Sequence, residues 1–147
     1  MKSDSQTHYF SERERLLGNC LKNSWRELAF ALAGNEEQPE FSGIISLADP
    51  KLLPFLEKPG VFLIIGPEPS LPILHVGASQ GPISGSLWAR LEQTPGEGFV
   101  WRWEELSDPP PTFAACLTFE RGWGLILSMK TLVVQQLGRD SEGQFFL

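Results

Sequence analysis

Residues 60–79 read GVFLIIGPEPSLPILHVGAS. Val61 to Ile65 and Ile73 to Val76 are runs of β-branched and large apolar residues, the composition that suits a pleated, buried strand. The GPEPSLP between them, residues 66–72, can continue neither strand, because its prolines lack the amide hydrogen that a ladder needs. The stretch is therefore a β-hairpin with a loop longer than the tightest turns. Gly60-Val61-Phe62 stands at its start and His75-Val76-Gly77 near its end.

Upstream, SERERLLGNCLKNSWRELAFALAGN (11–35) places Leu17, Leu21, Trp25, Leu28 and Leu32 at spacings of three and four, one stripe of a helix. Ser11 and Glu14 have the spacing of a capping box, which sets the expected start of that helix, and residues 1–9 are expected to fray. Gly34-Asn35 is a stop, since both residues tolerate the left-handed conformation. Pro50, Pro54 and Pro59 limit the next segment to a brief helical turn over 50–56.

Downstream of the hairpin the period changes. Ile83, Leu87 and Leu91 predict a short helix over 83–93, beginning after a glycine-rich loop. FVWRWEEL (99–106) alternates weakly as a strand, and TFAACLTF (112–119) is a clearer one. Leu125, Ile126, Met129, Leu132, Val133, Gln136 and Leu137 then mark a helix closed by Gly138. Helices and strands without regular β-α-β alternation predict an α+β domain, a small mixed or antiparallel sheet of about three to five strands covered by helices.

At 147 residues and 41% hydrophobic the chain suits one core. Its formal charge is −6, and within 60–147 Arg90, Arg102, Arg121, Lys130 and Arg139 face nine Asp and Glu. That balance disfavours nucleic acid as a partner, because phosphate binding draws on positive potential. Cys20 and Cys116 stand far apart without a CxxC pair, as free buried thiols of a reducing compartment do. No apolar run reaches the ~20 residues of a membrane span, and MKSDSQTHYF lacks the apolar region of a signal peptide, so the expected location is cytoplasmic, with no membrane partner.

The order Gly60-Val61-Phe62, hairpin loop, His75-Val76-Gly77, glycine-rich loop, Arg90-Leu91, strand and final helix resembles the GIY-YIG nuclease domain over residues 60 to about 140. Residues 1–59 would then be an N-terminal helical extension packed on the same core as the 60–147 module. In that family two tyrosines of the tripeptides face one site with a helical arginine, and a glutamate of the last helix holds a divalent metal. A phosphodiester needs a base for water, a metal for the phosphoryl oxygen and a cation for the developing charge.

The resemblance places Phe62 at the first tyrosine, without its hydroxyl. It places His75 at the second, an imidazole with an ordinary pKa of about 6.5. Arg90 falls at the arginine, several residues later than the family spacing, and Lys130 at the metal-binding glutamate. An ammonium there repels a hard cation. No asparagine in GRDSEGQ (138–144) matches the family's distal one.

These residues imply a non-catalytic binding or interaction protein without cofactor or metal, its remnant groove formed by Phe62, His75 and Arg90. Its partner would be another protein or a second copy of the chain. Trp101 and Trp103 share one face of their strand, a second candidate contact surface, unless they pack beneath the long N-terminal helix. Two alternatives remain open. One is a divergent Mg- or Mn-dependent endonuclease using His75 as base, Arg90, and a carboxylate such as Glu92 or Glu120. The other is a structural or homodimeric protein whose motif resemblance is accidental, in which the two tripeptides would not lie side by side. Each residue also has a purely structural reading: Phe62 as core, His75 as a satisfied strand-end residue, Arg90 paired with Glu92, Lys130 as surface. Gly81 and Gly85 lack the Gly-Lys-Ser/Thr of a phosphate loop.

Overall fold

The apolar stripe of the first helix has the predicted register, but the helix starts earlier than Ser11. In a computed structural model, which describes residues 4–32, 39–96, 98–102, 109–119 and 123–141, the elements are α1 (Asp4–Leu32), β1 (Glu40–Phe41), β2 (Ile45–Ser46), a 3-10 turn (Pro50–Leu52) running into α2 (Leu53–Leu56), β3 (Gly60–Ile65), β4 (Ile73–Ser79), α3 (Ile83–Trp88), β5 (Leu91–Thr94), β6 (Gly98–Trp101), β7 (Phe113–Thr118) and α4 (Trp123–Ser141). The fold is α+β.

β3 and β4 form the hairpin, and β7 pairs with the other side of β3; every pairing in the sheet is antiparallel. The order across the sheet is β1/β2, β7, β3, β4. β1 and β2 lie along the same strand, β7, as one edge broken at residues 42–44: Phe41 pairs with Leu117 and Ile45 with Ala114, so the broken edge carries one residue more than its partner. That is the geometry of a bulge. Gly43 has φ +79 there, and the amide hydrogen of Ile44, turned away from the ladder, is accepted by the Glu14 carboxylate at 2.6 Å. Glu14, expected in a capping box with Ser11, instead serves this bulge from within α1, since the helix begins a full two turns before it.

β3 is buried along its whole length because helices cover both faces of the sheet. Val61, Leu63 and Ile65 face a core built with Leu17, Leu21, Trp25 and Leu28 of α1 and Ile126, Met129 and Val133 of α4. Phe62 and Ile64 face the other way, into a core with Leu52, Leu56, Ile83, Leu87 and Leu91. Both cores draw on residues before and after position 60. The side chain of Leu32, and Gly34-Asn35 altogether, lie outside the described residues.

Four local expectations need correction. The first is the close of α4 at Gly138, since the helix runs on through it to Ser141. The helix expected over 83–93 ends at Trp88, and Leu91 opens β5, which pairs with β6 in a separate two-stranded sheet; the buried Leu91 satisfies the helical period and the strand equally. Arg90 therefore lies in the turn after α3, not on a helix. Trp101 is half-buried against the second core, on the far side of the sheet from α1, rather than beneath that helix. Trp103 and the rest of the strand expected to 106 lie outside the described residues.

Two glycines explain the hairpin's ends. Gly60 has φ +147, and a Cβ there would stand 2.2 Å from the Leu117 carbonyl oxygen of the neighbouring strand. At Gly77 a Cβ would stand 2.3 Å from Cζ of Phe62, whose ring lies across the glycine directly opposite it in the ladder. The hairpin needs Gly60 for its backbone and Gly77 for its neighbour's ring.

Candidate anion-facing groove

β4 is an edge strand, and beside it α3 and α4 leave a groove of about 500 Å³. Its floor is Phe62 and Gly77; His75 and Ala78 come from β4, Ser86 from α3, Ala89 and Arg90 from the turn after it, and Leu127 and Lys130 from α4. The two tripeptides are thus on paired strands, with Phe62 opposite Gly77 and His75 opposite Ile64. The structure brings Phe62, His75, Arg90 and Lys130 together. Trp101 is elsewhere, and Glu92, exposed on β5, does not line the groove.

His75 projects from the same sheet face as Phe62, their ring centroids 6.0 Å apart and their planes tilted by 49°. Its Nε2 is buried and makes no hydrogen bond. Burial first, and then the charges of Arg90 and Lys130, together lower the His75 pKa to about 4. Each of those effects disfavours the imidazolium, so the ring is neutral at pH 7. Arg90 is exposed and makes no ion pair with Glu92 or with any other carboxylate of the described residues. The Ser86 hydroxyl donates to Ser79 at 3.1 Å, and Ser79 in turn donates to the Pro82 carbonyl at 3.1 Å, which ties α3 to the end of β4.

No described carboxylate lines the groove. A divalent cation would meet one imidazole nitrogen, an ammonium and a guanidinium. Hard cations take oxygen ligands of negative charge, so this donor set does not fit one. Among the described residues no three His, Cys, Asp or Glu side chains converge as a metal site elsewhere; Glu120 lies outside them. What the groove offers is two cations, a neutral imidazole and apolar walls, the complement of a negatively charged group.

Ser86 and Leu127 were not singled out from the sequence. Leu127 could have been, since it stands three residues before Lys130 on the same helix, a spacing that shares a face; Ser86 could not, because Arg90 lies beyond the end of α3. No helix of the described residues is long and apolar enough to cross a membrane. Compared with known proteins, the chain matches no family model, no curated protein and no solved structure.

Proposed function

We propose that this chain is a non-catalytic binding module on a degenerate GIY-YIG-like fold, one that has lost the metal-binding glutamate and keeps the groove as its contact surface. The observation that carries the reading is the charge of that groove, where Arg90 and Lys130 flank His75 and no described carboxylate joins them. The pairing of the two tripeptides on adjacent strands supports the GIY-YIG likeness. Phe62 supplies a buried floor and has no hydroxyl with which to move a proton. A partner with an acidic surface, or a second copy of this chain, is the ligand this reading calls for. Two buried free cysteines accord with a cytoplasmic, reducing location.

One observation favours the divergent nuclease instead: a neutral His75 with an unpartnered Nε2 has the protonation state of a general base. Titration with magnesium and with manganese, following melting temperature and plasmid nicking together, separates the two. The binding module shows neither metal-dependent stabilisation nor cleavage. Nicking that needs metal and disappears in Arg90→Ala establishes the nuclease.

A further inference from the structure

We infer that the groove is a metal-independent oxyanion site, in which Arg90 and Lys130 take a phosphate-type group above His75. The inference rests on the reading of this groove as the contact surface and names the chemistry it contacts. Three observations meet here. Lys130 of α4 and Arg90 of the α3–β5 turn approach the imidazole from different elements, close enough that both charges act on it. Arg90 has no carboxylate partner among the described residues, so its donors are available to a ligand. His75 Nε2 is a buried polar atom without a partner, which a native structure leaves unmet mainly where a ligand or solvent supplies one.

Guanidinium and ammonium groups bind phosphate oxygens through short, charge-assisted hydrogen bonds. At 500 Å³ the groove exceeds a single phosphate, leaving its apolar walls, Leu127, Ala78 and Ala89, for whatever the phosphate is attached to. In the metal-dependent scheme of the family it resembles, an ion offsets the charge of the phosphate. Here Lys130 supplies the offset directly, so bound metal is not required.

Phe62 from β3 stands beside the His75 ring, and of the described residues lining the groove from β4, α3, the turn after it and α4, only Arg90 and Lys130 carry a full charge. An anion between them would neutralise their effect on the ring. The His75 pKa should therefore rise on binding, and by linkage affinity should increase as pH falls toward it.

The test is an NMR titration of the His75 imidazole in the full chain with EDTA present, using inorganic phosphate and, to remove the phosphate's own titration, sulfate. Expected are saturable shifts at His75 in millimolar anion, a raised His75 pKa in the complex, and affinity weakened about tenfold in each of Arg90→Gln and Lys130→Met. Both side chains reach solvent, so neither variant endangers the fold. Dimethyl phosphate alongside inorganic phosphate tells a diester from a monoester by which binds better.

An unmoved His75 at tens of millimolar phosphate overturns the inference. So do shifts of equal affinity in wild type and both variants, because the anion is then held elsewhere. A chain that nicks DNA with metal yet binds phosphate in EDTA would retire the non-catalytic reading and keep this one. A chain that neither nicks nor binds phosphate would do the reverse.

Discussion

Replacing Gly77 by alanine tests the packing that joins the two halves of the hairpin. The new Cβ would lie 2.3 Å from Cζ, 2.7 Å from Cε1 and 2.9 Å from Cε2 of Phe62, whereas real Cβ atoms essentially never come within 3.0 Å, so the ring must retreat by at least 0.7 Å (3.0 minus 2.3). The ring is 1% exposed and packed among Leu52, Leu56, Ile83 and Leu87, so its retreat disturbs that core. Overpacking of this kind costs about 1–3 kcal/mol, and with three ring atoms involved the upper part of that range applies. At about 4 °C per kcal/mol for a domain of this size, the melting temperature should fall by roughly 10 °C. The discriminating assay is a double-mutant cycle by urea denaturation with Phe62→Leu, whose shorter side chain withdraws from Gly77. In that background Gly77→Ala should cost less than about 1 kcal/mol, a coupling of at least about 1 kcal/mol. Strict additivity, or a Gly77→Ala cost below about 0.5 kcal/mol in the wild type, would show that the ring does not lie on the glycine.

Gly60→Ala should cost more than Gly77→Ala and resist rescue by trimming any neighbour, because its Cβ would collide with the Leu117 backbone oxygen at φ +147; chemical denaturation of the Gly60→Ala and Gly60→Ala/Phe62→Leu proteins checks this. Glu14→Ala strips the Ile44 amide of its acceptor and should destabilise by about 1–3 kcal/mol, with faster hydrogen exchange at Ile44 as the local signature. His75 should titrate near pH 4 by NMR rather than near 6.5. Its folded pKa lies below the unfolded one, so the unfolded chain binds the proton first and stability falls as pH drops from about 6.5 to 4, levelling off below. His75→Gln should flatten that part of the stability profile. Lys130→Met should return only part of the shift, since burial is its largest cause.

The hairpin, the stripe of α1 and the inward face of α4 were legible because each is a period repeated over several residues. Leu17, Leu21, Trp25 and Leu28 are all buried, as their spacing requires. β1, β2 and β5 were not legible. Two-residue edge strands carry no period, and their pairing with β7 depends on a bulge held by a carboxylate thirty residues away. The 83–93 segment misled because one residue, Leu91, satisfied a spacing of four while the chain had already left the helix. At the groove, the meeting of His75, Arg90 and Lys130 was expected only through the family resemblance, not from the spacing of the residues. Nothing local brings residues 75, 90 and 130 to one edge strand; the antiparallel ladder and the two flanking helices do.

The two kinds of residue in the tripeptides bear differently on function. Gly60 and Gly77 are required by backbone conformation and by the ring of Phe62, so any sequence adopting this hairpin would be pressed toward glycine there, whatever its chemistry. They argue for a shape and are silent about catalysis. Lys130 stands in the opposite position. A half-exposed helical site accepts glutamate and lysine with nearly equal ease, so the fold does not choose between them. The choice is decided by what the groove contacts. With a carboxylate there the groove could share a cation with a phosphate. With an ammonium beside Arg90 it presents two positive charges and adds to the burial that keeps His75 neutral, so under the proposed reading the sign of that one side chain separates a metal-using site from an anion-binding one.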